Sequence, residues 1–294
     1  MSAKKIPVLF TFNTLRNVYR QFQTQHFDQL KALFKQQNID IEFLPIITFD
    51  KDTIEKRAKT IQQQINEAQE KLGSQKFHIV SYSASGLDVR YYLSNLDGDK
   101  SVESLTTIAT PHKGSFLAEA FLDNKINQQQ IEPISRLIGM SPYSFSELNT
   151  ENIQQFNMET VSDTQVYSIG GERQSSHCSQ ALAVSGQFIQ DNKQQIDSHT
   201  LYQDFIQYRQ NKKKNLDLSK NVYENKLENE QDIQKGLPGD NDGVFAIDEI
   251  EWGTHLINFE ADHGELVGIG NNVFQVSKLA GLVSDNLKHV YGNL

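Results

Sequence analysis

Phe77-His-Ile-Val-Ser-Tyr-Ser83-Ala-Ser-Gly-Leu-Asp-Val-Arg-Tyr-Tyr92 decides how the rest of the chain is read. An apolar run leads directly into a serine flanked by small residues, and an amphipathic segment follows at once. That order predicts a strand, a sharp turn and a helix, with the Ser83 hydroxyl at the apex: a nucleophile elbow. The usual form is G-x-S-x-G. Here the two glycine positions hold Ser81 and Ser85, so the pattern is altered where it is normally tightest.

The segments on either side fit an alternating strand–helix chain. Pro7 to Phe12 predicts a first strand, Ile39 to Ile47 a second, stopped at or shortly after Pro45, and Phe77 to Tyr82 a third. Leu105–Ile108, Val166–Ile169 and Glu251–Ile257 predict three more. Helical spacing runs through 21–37, and through Ile54, Ala58, Ile61, Ile65, Ala68 and Leu72, with Asp52 or Thr53 as cap and Gly73 as stop. Further helices are expected at Gly86–Leu96 and Val273–Leu287. This alternation predicts a mostly parallel central sheet with helices on both faces. Two stretches interrupt it. Residues 116–163 hold amphipathic pieces without a strand and read as a helical cap. Residues 192–235 are polar and too poor in apolar side chains to bury a core of their own. A connection that long is a functional loop or an arm, and we expect an arm docked on a protein partner through Leu201, Phe205 and Tyr208.

The 294 residues carry a net charge of −9, which argues against nucleic acid as a partner. The lone cysteine, Cys178, forms no intrachain disulfide and fits a reducing, intracellular compartment. Residues 1–10 do not read as a signal peptide, and no transmembrane segment of about 20 apolar residues is present.

A serine hydroxyl needs a base to take its proton as it attacks. With the serine first in chain order, an acid and then a histidine are expected beyond it. The clearest acid is Asp242, in the turn-forming run Gly239-Asp-Asn-Asp242-Gly243. His255, His263 and His289 follow; His263, on a polar turn opening toward a helix, is the best placed, with His255 as its rival. His112 precedes the acid and reads as a structural or pocket-rim histidine; Asp88 and Arg90 read as structural.

With these residues in hand, the chain resembles the triacylglycerol lipase family of α/β-hydrolases, comprising bacterial true lipases and their fungal mitochondrial relatives. The family's elbow continues G-L-D-x-R-Y, matched by Gly86, Leu87, Asp88, Arg90 and Tyr91. Its next strand is matched by Ser104-Leu-Thr-Thr-Ile-Ala-Thr-Pro-His-Lys-Gly-Ser115, a later L-x-x-L-N-x-E-x-x-x-x-F-N motif by 145–157 with Phe145 for the first Leu, the acid loop by Asn241-Asp242-Gly243 with Trp252-Gly253, and the histidine loop by His263-Gly-Glu-Leu266. The resemblance implies a single α/β-hydrolase domain over 1–294 and a triad of Ser83, His263 and Asp242. It also implies an oxyanion hole from the backbone N–H groups of Ala84 and Thr14. No cofactor is implied. Glu265 stands where bacterial lipases place a calcium ligand, but no second carboxylate loop accompanies it, so no metal is expected.

The departures define two readings of function. The family's H-G oxyanion loop is here Phe12-Asn13-Thr14. Asn tolerates positive φ better than other non-glycine residues, so Asn13 is expected there in a near-left-handed turn. With that turn intact, the chain reads as a serine hydrolase of carboxylic, lipid-type esters. The alternative is a lipase-like protein of low or no activity, an accessory subunit of a larger assembly. The resemblance points to mitochondria, with the cytoplasm as alternative. The lid candidate, 121–140, carries Asp123, Lys125 and the run Gln128 to Gln130. It is too polar for strong interfacial binding.

Overall fold

The computed structural model describes residues 6–15, 31–33, 35–36, 39–48, 52–73, 76–137, 140–192, 240–268 and 273–291. Most of the predicted helix over 21–37 and the proposed arm, 193–235 with Leu201, Phe205 and Tyr208, lie outside the described residues.

Six strands are described: β1 (Ile6–Leu15), β2 (Ile39–Thr48), β3 (Phe77–Tyr82), β4 (Val102–Ile108), β5 (Gln165–Glu172) and β6 (Thr254–Glu260). They form one sheet in the order β2-β1-β3-β4-β5-β6, and every pairing is parallel. β2 runs through Pro45 and ends shortly after it, at Thr48, as expected. Among the described strands it pairs with β1 alone, and an edge strand tolerates the missing proline N–H. One expectation is corrected here: the last strand starts at Thr254 rather than Glu251, because Ile247–Ile250 first forms a short helix.

Between β2 and β3 runs α1 (Ile54–Leu72). Thr53 Oγ1 accepts from Lys56 N at 3.4 Å at its start. Gly73, at φ 62°, closes it through a 2.9 Å bond to Gln69 O. The next helix, α2 (Ser85–Asn95), leaves directly from β3. Strand side chains alternate between faces, and that alternation divides the core. Leu9, Phe77, Ile79 and Leu105 pack with Ala58, Ile61 and Ile65 of α1 and Val89 and Leu93 of α2. On the other face Val8, Phe10, Phe12, Val80, Tyr82 and Ile108 pack with the rest of the chain's buried apolar residues. α1 and α2 are joined by a buried ion pair, with Arg57 Nε 2.9 Å from both Asp88 carboxylate oxygens.

The second face is covered by α3 (Phe116–Leu122), α4 (Gln128–Leu137), α5 (Pro142–Ser146), α6 (Thr150–Glu159), α7 (Gln180–Asn192) and α9 (Val273–Tyr291), with α8 (Ile247–Ile250) on the acid loop. Side-chain N-caps punctuate residues 115–159: Ser115 for α3, Ser141 followed by Pro142 for α5, and Asn149 for α6. Ile131, Met140, Phe145 and Leu148 of this region are fully buried in the same core as Phe245 and Leu266. Gln128, Gln129 and Gln130 of α4 face solvent.

Candidate active site

β3 ends where Ser83 takes φ 57°. A non-glycine residue there carries about 1–3 kcal/mol of strain, which persists only where the surroundings over-determine it. Here they do. Ser83 N donates to Ile108 O at 2.8 Å, Thr110 Oγ1 donates to Ser83 O at 2.7 Å, and Gly86 N returns to Ser83 O at 3.1 Å. The close helix–strand approach falls on Gly86 rather than on Ser81 or Ser85. A Cβ at Gly86 would lie 2.3 Å from Thr110 Oγ1, so α2 can leave the turn this tightly only with glycine there.

Ser81 and Ser85 point instead at β1. Ser81 Oγ is 2.7 Å from Thr11 Oγ1, and Ser85 Oγ donates to the same Thr11 oxygen at 3.1 Å. All three are fully buried.

His263 arrives on the loop after β6 with its Nε2 3.0 Å from Ser83 Oγ and its Nδ1 2.7 Å from Asp242 Oδ2. A carboxylate only accepts, so Nδ1 carries the proton and Nε2 is left to accept from the serine. Asp242 is itself held: its Oδ1 accepts from Val244 N at 2.9 Å and Phe245 N at 2.8 Å. The two loops are also stitched through the backbone, His263 N donating to Asp242 O at 2.8 Å. The imidazole lies between Tyr82, 5.0 Å away, and the edge of Phe245 at 5.3 Å. Tyr82 OH donates to His263 O at 2.8 Å. Burial, reinforced by Asp242 and Asp262, pushes that phenol well above its ordinary range, so it stays a donor. Ser83, Asp242 and His263 are at most 1% exposed.

The rival histidine lies elsewhere. His255, in β6, shares hydrogen bonds with Ser168 Oγ at 3.0 Å and Asn258 Oδ1 at 3.1 Å. Burial holds it near pKa 4. His112 is also apart from the serine: its ring meets Thr107 Oγ1 at 2.9 Å and Arg90 Nη1 at 3.3 Å, and it stacks on Trp252. Burial, then Arg90 and Lys113, press it well below the ordinary histidine value. Arg90 sits over Trp252 at 4.1 Å, so Arg90 and His112 both pack on that half-buried ring. Glu265 is engaged by Arg173 at 3.2 Å and by Asp262 N at 3.0 Å.

The oxyanion side departs from expectation. Ala84 stands at the N-cap of α2, where a backbone N–H has no intrahelical partner. Asn13, however, is not in the left-handed region. It is an extended residue of β1, whose ladder with β2 continues to Leu15 opposite Thr48, beyond the point where pairing with β3 ends at Phe12 opposite Tyr82. The second edge holds the strand straight where a glycine loop would turn. Burial pushes the Asp88 carboxyl up against the opposing pull of Arg57, and the buried Asn13 amide forms no hydrogen bond among the described residues. Thr110, Tyr82 and Phe245 shape the site without having been singled out in the sequence. Thr110 was within reach, as part of the quoted Thr-Pro-His motif.

The profile of the palmitoyl protein thioesterase family matches residues 17–240. This chain belongs to that family. The match contains Ser83 but stops before Asp242 and His263. A curated relative, triacylglycerol lipase 2 of Saccharomyces cerevisiae, is 29% identical over 119 residues, 39% of this chain and 36% of the yeast protein. The chain thus matches little more than a third of that relative's length. Among solved structures, mature Bacillus licheniformis lipase BlEst2 is similar with a TM-score of 0.63 at 17% identity, covering 98% of this chain and 93% of that one. A metagenomic carboxyl esterase gives 0.65 at 15% identity, covering 100% and 78%. These likenesses establish the α/β-hydrolase fold. In family and fold the chain is lipase/esterase-like, and no described helix is long and apolar enough to cross a membrane.

Proposed function

We propose that this protein is a serine hydrolase of carboxylic, lipid-type esters, working through Ser83, His263 and Asp242. The observation that carries the reading is the continuous hydrogen-bonded line from Ser83 Oγ through His263 to Asp242, starting at a serine held at positive φ. Ser83 Oγ attacks the acyl carbon while His263 Nε2 takes its proton. The carbonyl oxygen becomes an oxyanion, received by the Ala84 N–H; a second donor, the Thr14 N–H, would join it only if β1 turned at Asn13. His263 then returns the proton to the leaving alkoxide, and an acyl-enzyme remains. A water deprotonated by the same nitrogen attacks that ester, and Ser83 leaves with the proton. Asp242 holds the imidazole in the required tautomer and stabilises its cationic form. The same steps serve an acyl thioester, the bond in the family's description. No cofactor or metal enters them.

The test is direct. The protein should hydrolyse p-nitrophenyl butyrate and be labelled by a fluorophosphonate, and Ser83→Ala should abolish both while leaving the fold intact. A second reading is a lipase-like accessory subunit without catalysis. It is favoured by Asn13, whose extended conformation removes the turn that presents the second oxyanion donor. An unlabelled Ser83 that co-purifies in a stable complex, held through 192–235, would select that reading. The compartment we propose is reducing: mitochondrial by resemblance, cytoplasmic as the alternative.

A further inference from the structure

The two serines that stand where the elbow's glycines are expected lie two residues before and two residues after the nucleophile. One hydroxyl joins them. Thr11 Oγ1 is 2.7 Å from Ser81 Oγ and accepts from Ser85 Oγ at 3.1 Å, so a single β1 side chain spans the turn from its incoming strand to the first residue of its outgoing helix. We propose that Thr11, Ser81 and Ser85 form a brace across the nucleophile turn, and that Thr11 is a positioning residue for the hydrolysis; this rests on the function proposed above.

Three observations converge. All three side chains are fully buried, so each hydroxyl depends on the others for its partner, and none can turn to bulk water without opening the core. Thr11 stands opposite Ser81 in the β1–β3 register, one residue before that pairing ends at Phe12 and Tyr82. It is therefore a hydrogen-bonding tie between β1 and the elbow just before β1 runs on to Asn13 and Thr14. Finally, the steric duty expected of the replaced glycines is carried by Gly86, which leaves positions 81 and 85 free to hold a hydroxyl. The serines are thus a matched set. β1, which lacks a glycine turn at Asn13, is registered against the nucleophile by hydrogen bonds instead.

This reading and a decayed site predict opposite results for the same variants. If Ser81 and Ser85 are degraded glycines, Ser81→Gly and Ser85→Gly should raise activity. If they are a brace, each should lower kcat for p-nitrophenyl butyrate about threefold to thirtyfold, with KM within twofold. Thr11→Val, which keeps the shape but removes the shared oxygen, should lower kcat at least tenfold and slow fluorophosphonate labelling in parallel. Thr11→Ser should recover most of both. The loss in the triple variant T11V/S81G/S85G should be smaller than the product of the single losses, because the three act as one unit. Rates are taken per folded protein, from samples whose denaturation is complete and cooperative, and Thr11→Ser and Ser85→Gly keep the test open if Thr11→Val folds poorly. A gain of activity in either glycine variant, or a Thr11→Val protein with unchanged kcat, overturns the brace and leaves the proposed hydrolase standing. A wild type with neither turnover nor labelling overturns the hydrolase and the positioning role together.

Discussion

Replacing Asp242 by Asn tests the site at its most informative atom. Asp242 Oδ1 receives two backbone N–H groups, from Val244 at 2.9 Å and Phe245 at 2.8 Å, while Oδ2 faces His263 Nδ1 at 2.7 Å. An asparagine must place its oxygen toward the two N–H donors, since its amide N–H₂ cannot face them. Its nitrogen is then turned to His263 Nδ1, which must become an acceptor. The imidazole proton moves to Nε2, and Nε2–H now points at Ser83 Oγ, 3.0 Å away. A nitrogen already carrying a proton cannot take the one that Ser83 must lose. The same tautomer inversion in a serine triad lowers kcat by about 10⁴, which corresponds to ~5.5 kcal/mol of transition-state stabilisation.

The local fold should survive, because both backbone donors keep their acceptor and the volume is unchanged. We expect kcat for p-nitrophenyl butyrate to fall about 10⁴-fold. KM should be nearly unchanged, and fluorophosphonate labelling should slow by a similar factor. Part of the lost rate should return at high pH, where hydroxide can replace the base. Stopped-flow labelling and steady-state rates on a protein with a native-like unfolding midpoint provide the check. An Asp242→Asn variant within tenfold of wild type would mean that His263 does not take its tautomer from Asp242, and the proposed relay would be wrong.

Four further outcomes are expected. Gly86→Ala puts a methyl 2.3 Å from Thr110 Oγ1 and 2.7 Å from its Cγ2; thermal unfolding should register a loss of roughly 1–3 kcal/mol, and kcat should fall because Thr110 also holds the Ser83 carbonyl. Arg57→Met leaves Asp88 buried and unpaired, at a cost of about 3–5 kcal/mol in denaturant titration, whereas R57M/D88L should recover most of it; equal losses in both would refute an ion-pair origin. His78 and His255 are each held near pKa 4 by burial, below the 6.5 of the free side chain. The unfolded chain therefore binds protons the native one refuses, so stability should be full above pH 6.5 and fall as pH drops toward 4, by on the order of 3 kcal/mol per residue; His255→Asn should flatten that limb of a stability–pH curve. The exposed glutamines of α4 give the cap a polar outer surface, so the rate on emulsified triglyceride should not jump above the solubility limit, and a sharp rise there would contradict this view of the cap.

What the sequence disclosed follows from the range of the forces involved. The elbow was legible because a fully buried strand, a small-residue turn and an amphipathic helix must occupy adjacent positions. β3 is buried at every residue, and α2 begins two residues after Ser83. His263 could be preferred to His255 on local grounds, since a residue inside a strand is committed to its neighbours, and His255 is indeed bonded to Ser168 and Asn258. Asn13 was misread because its conformation is not local. Its own preference allows a left-handed turn, but the β2 edge offers ladder partners through Leu15, and the longer pairing prevails. The same holds for Ser81 and Ser85. As letters they are glycines lost; only the parallel register, which sets Thr11 opposite Ser81, shows that each gained hydroxyl has a partner 70 or more residues away. A substitution within a motif is therefore damage or design according to what the fold places across from it, and here a threonine hydroxyl stands across from both.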